Sequence, residues 1–171
     1  MTKIDITDRL SGSLSETYFK EFCDQQGWAY ISLEQIHENK IKDNTLKFRK
    51  GFNRILVRLP EEIIREVEDT SKPSNSSILN PSFVYDFLLC KVGQTDKDSE
   101  ILKKKNYKDF RWAEVKTGYS ELTKKQIRTL EKITIPLYRY RVPNSKLSPK
   151  EVDIYDDLVD SEFLFENGLD S

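Results

Sequence analysis

Phe110-Arg-Trp-Ala-Glu-Val-Lys-Thr117 is the stretch from which the fold can be read. Aromatic and β-branched residues surround two charges placed two apart, Glu114 and Lys116. Side chains of an extended strand alternate, so residues two apart share a face. The stretch therefore predicts a strand that sets a carboxylate and an ammonium side by side, ended by Gly118. The triplet acid-any-Lys occurs once more, as Glu38-Asn-Lys40, in a polar stretch without such surroundings.

Downstream, Thr123 is placed to cap a helix running to about Lys132, and Thr134 to Val142 reads as a strand stopped by Pro143 and Asn144. Upstream, Gly93 to Asp109 is a polar hairpin or loop, and Ser82 to Val92 is a strand rich in Phe, Val and Leu. Asp86 interrupts that apolar run, a costly position for a carboxylate without a partner. Leu14, Tyr18, Phe19, Phe22 and Cys23 recur at spacings of three and four, predicting a helix over 13–26. Ser13 or Ser15 would cap it, and Gly27 would close it. Trp28 to Leu33 follows as a strand.

Residues 34–53 are polar and suggest no firm element. Arg54 to Leu59 reads as a strand, Pro60 opens a short helix to about Glu68, and Ser71 to Asn80 is a loop. The segment 34–80 reads as an insertion within a domain spanning 1–150. The order of elements predicts an α/β fold, with a mixed central β-sheet flanked by helices.

The 171 residues suit one domain, 37% hydrophobic and 33% charged. No apolar run nears the roughly 18–20 residues that span a bilayer, and the first residues do not resemble a signal peptide. An intracellular, cytoplasmic protein without a membrane partner is expected. Cys23 and Cys90, far apart in sequence, read as buried apolar side chains. His37 is the only histidine, which disfavours zinc sites of the His/Cys type and His-dependent triads. No Gly-rich phosphate loop is present.

The net charge of -1 divides unevenly: residues 1–150 hold 28 bases against 21 acids, a net of +7, while 151–171 hold eight acids and no base. A basic body suits a polyanionic partner. Lys103, Lys104, Lys105, Lys108 and Arg111 lead into the central strand, and Lys124 and Lys125 open the following helix. All seven are candidate phosphate contacts, with a solvated surface as the plain alternative. Tyr107, Phe110, Trp112 and Tyr119 lie among them, as stacking or core residues. The tail, with Tyr155, Leu158, Val159, Phe163, Leu164 and Phe165 among its acids, would pack as a short helix, dock onto a protein partner, or compete with nucleic acid for the basic body.

If the strands bearing Asp86 and Glu114 are neighbours, the two carboxylates can share one hard cation. At this point the chain resembles the PD-(D/E)XK nuclease superfamily, especially its archaeal Holliday-junction-resolvase and VRR-nuclease branches. The likeness rests on Tyr85-Asp-Phe-Leu-Leu89, Trp112-Ala-Glu-Val-Lys-Thr-Gly118, Leu122-Thr-Lys-Lys-Gln126 and Ile135-Pro-Leu-Tyr-Arg-Tyr-Arg-Val142, about 60 residues in all. It departs in placing Tyr85 where the motif has proline. A rival register at Pro81-Ser82 would lack the acid.

The resemblance implies a restriction-endonuclease-like core. It makes Asp86 and Glu114 ligands of Mg²⁺ (Mn²⁺ substituting), with Glu16 completing the set. It implies that Lys116 orients or activates the attacking water, and that Gln126 holds Lys116 or a phosphate. The expected activity is endonucleolytic hydrolysis of phosphodiester bonds in duplex or branched DNA, with homodimerisation left open. The rivals are a non-catalytic nucleic-acid-binding domain of the same fold, and a protein-interaction module using the acidic tail.

Overall fold

A computed structural model describes residues 3–74, 81–92, 106–118, 120–142 and 155–159. Its elements are α1 (Lys3–Gln26), β1 (Trp28–Ser32), α2 (Leu33–Asn39), β2 (Thr45–Lys50), β3 (Asn53–Arg58), α3 (Glu61–Thr70), β4 (Phe87–Lys91), β5 (Phe110–Thr117), α4 (Lys124–Leu130), β6 (Leu137–Val142) and β7 (Tyr155–Val159). The strands form one sheet in the order β3-β2-β1-β4-β5-β6-β7. Among the described strands only β5 and β6 run parallel, with α4 in the connection between them. The predicted α/β class with a mixed sheet flanked by helices is what the chain forms.

Alternation along the strands gives the sheet two apolar faces. On one, Phe19 and Cys23 of α1 pack against Trp28, Tyr30, Phe87, Leu89, Ala113 and Tyr140. On the other, Leu33 and Ile36 of α2, Ile63 and Val67 of α3, and Leu130 of α4 cover Ile31, Phe48, Ile55, Leu88, Phe110 and Trp112. Both cysteines are buried, as expected, and neither is in a disulfide. Among the described residues no helix is long and apolar enough to cross a membrane.

Several local expectations need correction. The first helix starts at Lys3, so neither Ser13 nor Ser15 caps it. Ser15 is instead buried mid-helix, with its hydroxyl 2.8 Å from that of Thr117, tying α1 to the end of β5. Gly27 does end the helix, at φ +77°. Ser32 does not extend the strand into Leu33. It caps α2 in a reciprocal box with Gln35.

Residues 34–53, which suggested no firm element, contain most of α2 and all of β2. With β3 and α3 they extend the sheet and its core. The tail is not a helix over 155–159 but edge strand β7, paired to β6 with Arg139 opposite Asp157. The remainder of 151–171 lies outside the described residues.

Glu66 of α3 joins the helix to the sheet. Its carboxylate accepts from the Trp112 indole (3.1 Å), from the Ile135 amide (3.1 Å) and from the Thr134 amide. Three donors on one side chain make a strong local tie. Glu66→Ala should lower unfolding free energy by about 3 kcal/mol, since abandoned buried donors cost ~1–3 kcal/mol each and water reaches some of these. Glu66→Gln, which keeps one acceptor oxygen, should recover part of that loss in guanidinium titrations. An unchanged midpoint in Glu66→Ala would show that the tie carries little.

Candidate active site

Asp86, Glu114 and Lys116 of the expected site meet where β4 begins and β5 ends. Glu114 and Lys116 follow Phe110 and Trp112 on one face of β5, and the Lys116 ammonium lies 3.4 Å from Glu114 Oε1. Their side chains are only 11% and 10% exposed respectively. Asp86 is not inside the apolar strand, as its sequence neighbours suggested, but immediately before it. Its backbone N–H donates to the Ala113 carbonyl (3.0 Å) and its carbonyl accepts from Leu33 (3.2 Å). The ladder stops there, and the Asp86 carboxylate replaces a backbone acceptor by taking the Val115 N–H at 2.8 Å.

Asp86 therefore holds β5 on both sides of Glu114, and the two carboxylates lie near enough for each to perturb the other. Burial pushes Asp86 up to about 6, opposed by the Val115 amide and reinforced by the charge of Glu16. Burial, then the charge of Asp86, pushes Glu114 up to about 8, while Lys116 and the Gln126 amide pull it back. These values belong to the interacting pair. Glu114 Oε2 is buried and receives no hydrogen bond. Such an atom favours a proton or a cation beside it.

Glu16 is exposed and reaches Asp86 through its charge and through a shared cleft of about 930 Å³. Among the described residues no three His, Cys, Asp or Glu side chains group closely enough to hold an ion by themselves. The site thus offers two close carboxylates, with Glu16 standing apart. That donor set fits Mg²⁺, which takes one or two carboxylates and keeps several waters.

Gln126 is buried beside the pair, yet its amide does not hold Lys116. Its oxygen accepts from the Thr123 amide (2.9 Å), closing the capping box of α4, and its nitrogen donates to the Val84 carbonyl (2.9 Å). Sequence reasoning missed Tyr85, which is buried with its hydroxyl on the Gln126 carbonyl (2.8 Å) and its ring 6.2 Å from that of Trp112. An aromatic residue just before the acid was the available signal.

Among the expected phosphate contacts, Lys108, Lys124 and Lys125 are exposed. Lys103, Lys104, Lys105 and Tyr119 lie outside the described residues. Arg111 is reassigned: it alternates onto the face opposite Glu114, donates to the carbonyls of Lys108 and Phe110 (both 2.6 Å), and lies over the Tyr138 ring. Phe110 and Trp112 belong to the core, and Tyr107 packs against it. Compared with family models, curated proteins and solved structures, the chain matches none.

The folded protein binds the protons of Asp86 and Glu114 more tightly than an unfolded chain would. Their contribution to stability is therefore full below about pH 4, and is lost as pH rises towards 8. In metal-free buffer above pH 7, Asp86→Asn should melt roughly 5 °C higher than wild type, at ~2–4 °C per kcal/mol. Asn keeps an acceptor for Val115 while removing the charge. The gain should vanish below pH 4, and a wild type more stable than the variant at pH 8 would contradict the repulsion.

Proposed function

We propose that the chain is a divalent-metal-dependent nuclease, most closely an endonuclease of the PD-(D/E)XK kind, acting on duplex or branched DNA. The observation that carries this reading is the pair of buried, mutually repelling carboxylates beside Lys116, with Glu114 Oε2 lacking any donor. A purely structural site would not be expected to leave such an atom unmatched. Perturbed titrations of this sort concentrate where chemistry is done.

Asp86 and Glu114 would hold Mg²⁺ or Mn²⁺. Such an ion supplies charge neutralisation at phosphate oxygens and a lowered pKa for its water. Within the protein, Asp86 fixes the separation of the carboxylates through the Val115 amide. Lys116 keeps an ammonium where negative charge develops on a phosphodiester in attack. Tyr85, Gln126 and Thr123 hold the floor of the site through α4.

Glu114→Gln and Asp86→Asn should each reduce Mg²⁺-dependent cleavage of DNA by at least a hundredfold, comparable to the loss of a principal electrostatic group. Nucleic-acid binding in EDTA should persist. Lys116→Ala should lower the single-turnover rate with metal affinity unchanged or improved, because a cation beside the carboxylates is removed. The assay is a panel of single-stranded, duplex, flapped and four-way DNA, with and without Mg²⁺. Cleavage that survives Glu114→Gln would remove the assignment, and binding without cleavage by the wild type would favour the non-catalytic rival.

A further inference from the structure

Thr45 to Arg58 carries Lys47, Arg49, Lys50, Arg54 and Arg58 and no acid. It folds into the hairpin β2–β3, turned at Gly51 and Phe52, with φ +61° at Gly51. Glycine first in a two-residue turn suits hairpin twist. The register places Arg49 directly opposite Arg54, Lys47 opposite Leu56 and Thr45 opposite Arg58. Lys47, Arg49, Arg54 and Arg58 thus share one exposed face. Like charges directly opposed weaken a sheet. Among the described residues none of the four forms an ion pair.

The turn adds a second anomaly. Phe52 is 98% exposed, the only aromatic so exposed among the described residues. The turn itself is anchored, because the Gly51 amide donates to Asp24 Oδ1 at 3.0 Å. Lys47, Arg49, Arg54 and Phe52 line the same cleft as Asp86 and Glu16. Asp24, Glu34 and Glu38, the other acids of the cleft, stand on the flanking helices α1 and α2.

We propose that this hairpin is a binding wing for a nucleic-acid strand with unpaired bases. The cations of β2 and β3 hold successive phosphates, and Phe52 stacks on a base. Residues two apart on a strand are ~6.6 Å apart, a spacing suited to an extended phosphodiester chain leading towards Asp86. A ring held at a fixed turn presents stacking area with little ordering entropy. One aromatic side chain is a poor membrane anchor, whereas one is enough to stack on one base. The proposal rests on the nuclease reading for its substrate class, but its test needs no cleavage.

The test is fluorescence anisotropy in EDTA, using single-stranded, duplex and flapped oligonucleotides, across a salt series. Wild type should bind oligonucleotides with unpaired bases more tightly than duplex. Phe52→Ala should weaken that binding roughly tenfold, and duplex binding much less. Lys47→Gln combined with Arg54→Gln should weaken all substrates and reduce the slope of log affinity against log salt by about 1.5. The exposed positions should leave melting temperatures near wild type.

Wild-type affinity in both variants would overturn the wing, and would leave the nuclease reading to its own cleavage assay. Failure of the wild type to bind any oligonucleotide would overturn it also. So would binding to anionic phosphatidylserine vesicles that depends on Phe52 while oligonucleotide affinity does not.

Discussion

The hydrogen bond from the Val115 amide to the Asp86 carboxylate fixes the rest of the site. Together with the Asp86 amide on the Ala113 carbonyl, it fastens the first turn of chain before β4 to both sides of Glu114. Glu114 then has little room to move away from the charge it repels. Its burial, its raised affinity for protons and the short approach of Lys116 all follow from that fastening. An acid that replaces a backbone acceptor at the end of a ladder is locally satisfied yet remains charged towards its neighbour. One oxygen is used for structure while the group as a whole stays available for chemistry.

The two carboxylates are held together against their own electrostatics, and the surrounding core bears the strain. Trp112 and Tyr85 fill the space beneath them, with Trp112 fixed through its indole to Glu66. Glu66 and Glu114 illustrate opposite uses of a carboxylate in one small protein. The first accepts three hydrogen bonds and stabilises the junction of α3 with the sheet. The second is left with an unmatched oxygen, and stability falls as it ionises.

Where the sequence pattern was strong, it located elements closely. β5 spans the eight residues expected of it, and Thr123 caps α4. The order of charges within β5 was enough to place Glu114 and Lys116 on one face. The failures have separate physical causes. Ser13 and Ser15 looked like helix caps, but the helix begins at Lys3 and Ser15 serves a tertiary bond. α2 is only two turns long, and β2 hides its alternation, Leu46 and Phe48 inward, among lysines and arginines. Arg111 looked like a surface cation because sequence does not show that its guanidinium folds back onto its own chain. The basic face of the β2–β3 hairpin was hidden for the reason that β2 was: opposed arginines become visible only once the hairpin register is known.

The mixed sheet also governs when the site comes into being as the chain folds. β4 pairs with β1 across a gap of about sixty residues, from Ala29 to Cys90, and with β5 across a shorter one, from Cys90 to Phe110. Asp86, Glu114 and Glu16 come from three distant parts of the chain, and contacts of such separation carry the larger share of loop-closure entropy and form slowly. A partly folded chain that contains β2, β3 and their cations presents a basic hairpin before it brings the two carboxylates together.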